Sequence, residues 1–460
     1  MLTRSLIPAQ VTLLAVLLSA AAFGEDRFLI KVDGDIHQIA KRNHLSVVKS
    51  LDGSATGVHL LSAPKGSDVR DVLRNLTNEA TVRSVESERP LRLPGIGSKV
   101  NPNPTASRLA PVQLNGTPSF YYSSQAAAAY INQQAGEIIN LAKAHTLADG
   151  AGARVAILDT GVDRYHPVLF LSVTDGYDFV NGIAGGQERL DINQETTPIL
   201  DQETTPILDQ ETTPILDGGS AVILRQETTP ILDQETTPIL DQETTPILDS
   251  KKYPAFGHGT MVAGLVHLVA PRAKLMPVRV FGANGSATIS QVVAGIYWAV
   301  DHGANVINMS FSATEDSQLL AAAIDYAVNK GVILVAAAGN DGKATQVWPA
   351  SYPRVIGVAS TNNYYTRSLF SNYGSPLVSL AAPGEANVTV YPGNRYAQVW
   401  GTSFSTPLVT GGAALLVNSS GKTNGSQAAE ALAKAKFIGQ ELGAGELDLY
   451  QAILSIRKDY

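Results

Sequence analysis

Hydrophobic positions along this chain fall into two patterns. From about residue 119, short and nearly continuous apolar runs alternate with stretches of helical period. ARVAILD, AKLMPVRVF, NVINMSF, GVILVAAAG and VIGVAS read as strands. HGTMVAGLVHLV, TISQVVAGIYWAVDHG and DSQLLAAAIDYAVNKG read as helices, with Val292, Val293, Ile296 and Trp298 among the apolar positions of the second. Strands that are apolar throughout and separated by helices predict a doubly wound α/β fold, a mostly parallel sheet with helices on both faces. In such sheets the chemistry collects at the carboxyl ends of strands. Residues 27–93 carry a different order: strand, helix, strand, strand, helix, strand, with Ser67 predicted as the N-cap of the second helix. That is the split βαβ arrangement of a small α+β, ferredoxin-like unit. Residues 94–118 are rich in Pro, Gly, Asn and Ser and predict a linker.

The N-terminus changes the picture. Arg4 precedes an apolar run from Val11 to Leu18, small residues Ser19 to Ala22 follow, and Glu25 comes next. This is the three-part form of a secretory signal peptide over residues 1–24. The run is short for a bilayer span. The expectation is therefore a secreted protein, extracellular or periplasmic, with no membrane attachment after signal removal. The expected mature chain is monomeric.

An exact octapeptide, QETTPILD, occurs three times over residues 194–217 and three more over 226–249, around one odd octad, GGSAVILR. One Pro per eight residues blocks a continuous helix, and the unit is shorter than that of most packed solenoids. The six copies carry twelve carboxylates and the odd octad one arginine, so residues 194–249 hold −12 + 1 = −11 of the −7 net charge and the remainder is +4. Neither part has the dense basic stripe of a nucleic-acid binder. The absence of cysteine excludes disulfides, thiolate metal sites and a cysteine nucleophile.

Four stretches carry candidate chemistry, and each has a plain alternative. Asp159 ends a strand in VAILDTGVD; a bare DTG is also an ordinary turn, and with no second DTG or DSG the shared-proton chemistry of an aspartic protease is missing. His258 stands between two glycines at a helix start, which implies close approach of another group; a single His is more often structural, and His267 is not at the spacing of a helical zinc pair. Asn340 ends LVAAAGN, as a turn residue or as an amide donor to a developing oxyanion. Ser403 fronts an apolar helix with Pro407 in its first turns; it is either an N-cap or a nucleophile at the positive end of a helix dipole.

Together they narrow the choice. Asp, His and Ser in that order, with Asn between the last two, follow one of the known chain orders of the Ser-His-Asp machine. ILDTGVD, GHGTMVAG, VINMSF, AAAGN and GTSFSTPLVTG resemble the signatures of the subtilisin-like serine proteases (subtilases), over roughly residues 130–454 apart from the repeat. The resemblance implies a catalytic domain at 119–460 interrupted by 194–249, with the segment 25–93 similar to the family's inhibitory propeptide. GAGELDLYQAI resembles the family's closing segment, so no further domain is expected. The implied roles are Ser403 as nucleophile, His258 as general base, Asp159 as its orienting partner and Asn340 in the oxyanion hole. By the same resemblance Gly285, Ser286 and Ala287 and the segment Ser310, Phe311 and Ser312 form two edges for a peptide substrate. Ala336, Ala337, Ala338 and Gly339 then wall the pocket before the scissile bond. The implied partners are peptide or protein substrates and the chain's own propeptide.

Departures matter too. Met261 stands where subtilisins often have a second His, and Ser310-Phe311-Ser312-Ala313 replaces their SLGG. Val168 follows His166-Pro167 where many have an Asp, and HLVAPRAKL lacks their calcium loop; calcium needs hard oxygen ligands, so no cofactor or metal is expected at that site. Two other functions remain open at this point: a catalytically inactive binding protein of the same fold, and a surface protein acting through the acidic repeat.

Overall fold

The computed structural model describes residues 26–53, 56–93, 118–188 and 253–457, with the backbone alone of 221–225 and 229–230. The predicted signal peptide, the linker up to residue 117 and most of the repeat lie outside the described residues.

The main sheet has eight strands, in the order Ile183–Ala184, Tyr177–Asp178, Lys274–Arg279, Arg154–Asp159, Val306–Met309, Ile333–Ala337, Val355–Thr361 and Leu380–Pro383. All neighbours run parallel except the first two. Arg154–Asp159 shows why the runs are apolar throughout. Val155 and Ile157 pack into one core with the helices His258–Val269 and Thr402–Ser420. Ala156 and Leu158 face the opposite core, with Ile289–Asp301 and Gln318–Asn329. Alternate side chains of a strand point to opposite faces, and here both faces are covered.

Strand order also places the site. The chain runs from Arg154–Asp159 to Lys274–Arg279 on one side, then crosses to Val306–Met309 on the other. The order reverses at the strand ending in Asp159, and such a reversal opens a crevice at the carboxyl edge.

Residues 27–87 form a separate four-stranded antiparallel sheet, ordered Ser46–Ser50, Val58–Ser62, Arg27–Val32 and Val82–Ser87, with its own apolar core around Phe28, Ile30, Ile39 and Leu61. The strand–helix order read from the sequence is the one found. One detail differs: the N-cap of Val69–Thr77 is Asp68, whose carboxylate accepts from the N–H groups of Arg70 and Asp71, while Ser67 Oγ donates to Pro64 O. A charged acceptor beside two helix-start donors outcompetes a hydroxyl one residue earlier.

The stretch between Pro383 and the helix at Ser403 was not resolved into elements by its pattern. It forms a hairpin, Asn387–Tyr391 with Arg395–Val399, before the helix that carries Ser403. Residues Ala221–Arg225 of the odd octad run parallel to Arg395–Val399 and turn back through Thr229–Pro230. The repeat segment thus contributes strand to this small second sheet, through the odd octad and the start of the exact octad that follows it. Among the described residues no helix is long and apolar enough to cross a membrane.

Candidate active site

Asp159 leaves the sheet at the end of its strand, and its backbone oxygen accepts from the N–H groups of Val280 and Phe281, just past the neighbouring strand Lys274–Arg279. Its Oδ1 accepts from its neighbour's N–H, Thr160 N, at 2.7 Å and lies 2.7 Å from His258 Nδ1. Both side chains are fully buried. A carboxylate only accepts, so the Nδ1 proton is the one shared and Nε2 is left as the basic nitrogen.

The glycines beside His258 explain its placement. A Cβ on Gly259 would lie 2.1 Å from Gly161 O and 3.1 Å from Asp159 Cβ. A Cβ on Gly257, whose φ is +91°, would lie 2.5 Å from the Tyr391 ring. The close approach inferred from the sequence is therefore that of Gly259 to the Asp159 turn and of Gly257 to Tyr391. Phe404 covers the imidazole, with ring centroids 5.4 Å apart.

Ser403 is the second residue of Thr402–Ser420, and the N-cap is Gly401. The N-cap alternative for Ser403 is thereby set aside. Ser403 Oγ donates to Ser310 O at 3.0 Å, and Ser310 Oγ donates back to Ser403 O at 2.8 Å. This reciprocal pair ties the helix start to the end of Val306–Met309. Asn308 Nδ2 supports it by donating to Ser310 Oγ at 2.9 Å; Asn308 is fully buried.

Asn340 is oriented by Thr402. The N–H and hydroxyl of Thr402 both donate to Asn340 Oδ1, at 3.0 and 2.9 Å. With its oxygen held there, the amide presents its nitrogen on the other side. Ala336, Ala337 and Ala338 are fully buried at the end of the preceding strand. Phe311 is buried against Phe281, with centroids 5.3 Å apart.

The residues Gly285, Ser286 and Ala287 already hold an extended segment. Pro90–Arg92 runs antiparallel to Ser286–Thr288, with Ala287 opposite Leu91 and Ser286 opposite Arg92. Leu93 N–H donates to Gly285 O at 2.9 Å. Leu91 and Leu93 are buried with Ala287 and Ile289. The N-terminal unit is further tied down by Glu86, which accepts from Ser317 Oγ at 2.5 Å, and by Glu88, which accepts from Ser290 N–H at 3.2 Å.

Sequence reasoning missed four supporting side chains. Thr402 orients Asn340. Thr160 and Thr260, each close after a candidate residue, both donate their hydroxyls to Glu188. Glu188 itself is buried, and burial pushes its pKa up to about 7. The threonines of DTG and HGT were a visible signal. Glu188 was not, because it sits in a polar stretch without periodicity. At the departure Val168 the side chain is buried and apolar. No group of three or more His, Asp or Glu side chains suited to a metal occurs among the described residues.

Comparison with known proteins agrees with this geometry. The Subtilase family model matches residues 150–447. The chain is 32% identical over 327 residues to thermitase of Thermoactinomyces vulgaris, covering 68% of this chain and 93% of that protein. It is 34% identical over 306 residues to the thermophilic serine proteinase of Bacillus sp. (strain AK1), covering 66% of this chain and 62% of that one. In fold it is similar to fervidolysin of Fervidobacterium pennivorans, with a TM-score of 0.65 and 23% identity, covering 95% of this chain and 62% of the other. The family match spans the sheet, both helices and all four candidate residues, and the chain belongs to the subtilase family of serine endopeptidases.

Proposed function

We propose that this chain is a secreted zymogen whose endopeptidase works through Asp159, His258 and Ser403, with Asn340 as oxyanion donor. Ser403 Oγ attacks a peptide carbonyl. His258 Nε2 takes its proton and later gives it to the leaving amine, while Asp159 holds the imidazole and stabilises its charged form. The Asn340 amide and the Ser403 N–H receive the oxyanion. The observation that carries the reading is the fully buried Asp159–His258 pair at 2.7 Å. Burying a carboxylate and its imidazole partner is costly, and such groups in a cleft cluster at functional sites. The signal-like residues 1–24 support secretion. The inactive-protein alternative is not favoured, since Asp159, His258, Asn340 and Ser403 are all present.

In this reading the N-terminal unit is the inhibitor. Its strand Pro90–Arg92 lies on the expected substrate edge and adds main-chain pairing as a peptide would. Wild type should cut itself within about residues 90–118, and the Ser403→Ala protein should remain uncut. Leu91→Asp removes a buried side chain whose burial is worth roughly 1.5–3 kcal/mol and places a charge there instead. The cut unit should then leave about 10- to 100-fold more readily, shortening the lag before peptide hydrolysis in a progress curve. An unchanged lag in a folded Leu91→Asp protein would count against inhibition through this strand.

The repeat we assign to a tolerated insertion. The described residues on either side of it meet: Gly257 N–H donates to Glu188 Oε1 at 2.6 Å. Between Asp159 and His258 the separation is 258 − 159 = 99 positions, and without the 56 residues 194–249 it is 43. Lengthening that closure costs on the order of 0.7 kcal/mol. Deleting 194–249 should leave melting temperature and turnover of a short neutral peptide near wild type. A deletion protein that is folded but inactive would show instead that the octads help to build the site.

A further inference from the structure

Glu188 lies six positions before the first octapeptide, outside every motif, and is nevertheless 1% exposed. Both its oxygens accept. Oε1 receives Thr160 Oγ1 at 2.5 Å and Gly257 N–H at 2.6 Å; Oε2 receives Thr260 Oγ1 in a short contact. The donors belong to the two pieces of chain that must meet for the pair to form. Thr160 follows Asp159, while Gly257 and Thr260 flank His258. The hydroxyls are used twice: Thr160 Oγ1 also accepts from Gly259 N–H at 2.9 Å, and Thr260 Oγ1 from Asp163 N–H at 2.8 Å. One carboxylate thus closes a network of five donors across the strand end and the helix start.

Resting on the catalytic reading above, we propose that Glu188 is a positioning residue for the Asp159–His258 pair, a buried carboxylate that locks the strand end to the helix start and adds negative charge behind the imidazole. Three polar groups, the hydroxyls of Thr160 and Thr260 and the Gly257 N–H, converge on the carboxylate oxygens. Burial opposes ionisation and the Asp159 charge adds to that, while the two threonine hydroxyls and the Gly257 N–H favour it. The charged group that acts on Glu188 is Asp159 on the strand; His258 follows Gly257, whose N–H Glu188 accepts, and Asp163 is one hydroxyl away through Thr260. A second negative charge near His258 favours its protonated form, the form made when Ser403 gives up its proton.

The test is the titration of His258, read two ways: by NMR of its imidazole in a Ser403→Ala background, and by the acid limb of kcat/KM in the active protein. Glu188→Gln keeps the size and removes the charge. Both readings should fall by about half a unit or more, with kcat reduced several-fold. Glu188→Asp, which restores the charge, should return the acid limb towards wild type. A lowered melting temperature with both titrations unmoved would overturn the proposal and leave Glu188 a packing residue. If Glu188→Gln does not fold, Thr260→Val strips one donor from the carboxylate and should move the His258 titration the same way; no movement there also overturns it. The NMR arm needs no turnover, so a failure of the catalytic reading shows separately, as near-wild-type activity in the Ser403→Ala protein.

Discussion

Ser403→Ala is expected to lower kcat for a short peptide by about 10⁶-fold, the size found for loss of the nucleophile in a subtilisin, and to leave the chain uncut between residues 90 and 118. The loss is large because the remaining groups have nothing to activate: His258 can accept a proton only from a hydroxyl placed at the start of the Thr402–Ser420 helix. Residual turnover comes from the oxyanion donors and binding alone. Folding should survive. The substitution removes the hydrogen bond from Ser403 Oγ to Ser310 O, a bond worth about 1 kcal/mol. Ser310 Oγ still donates to Ser403 O at 2.8 Å and keeps the helix start attached. The checks are steady-state hydrolysis, the melting temperature and the mass of the secreted product. A Ser403→Ala protein that matures in a protease-free host would contradict self-cleavage.

Asn340→Leu is the second large effect. Leucine matches the shape and removes the amide donor, so the oxyanion is left with the Ser403 N–H. Loss of one such donor costs about 10²–10³-fold in kcat, a magnitude established for this family's oxyanion asparagine. The donor acts on charge that develops only in the transition state, so KM should change little. Asn340 also receives the N–H and hydroxyl of Thr402, and burying those without an acceptor should cost stability of about 1–3 kcal/mol. Thermal unfolding separates this from the kinetic loss. A kcat within a few-fold of wild type would remove Asn340 from the oxyanion hole.

How much of this was legible in the sequence depends on periodicity. The parallel strands were readable because both faces are buried and the runs are therefore apolar at every position, as Val155 to Leu158 show. The helices at His258 and Ser403 were readable for a similar reason: they are buried nearly all round. The hairpin 387–399 was not, because Gln398 and Thr389 are buried polar residues that break the apolar run and are satisfied by hydrogen bonds, Gln398 to Ala386 O and Thr389 to Met261 O. The candidate residues stood out by type and by their glycines, and the structure brings Asp159 and His258 together across 99 positions. What binds them was hidden. Glu188 and Thr402 act through contacts between segments distant in sequence, and no local pattern records such contacts. The pairing of Leu91 with Ala287 was hidden in the same way, since register between two units depends on their docking.

The central claim is that Ser403 is an activated nucleophile, and labelling by a fluorophosphonate probe tests it most directly, because the probe reacts only with a serine whose proton is being removed. The purified, self-processed protein should carry one adduct, mapped by peptide mass to Ser403, and His258→Ala should abolish it. A folded wild-type protein that takes no label, or takes it at another serine, would contradict the account.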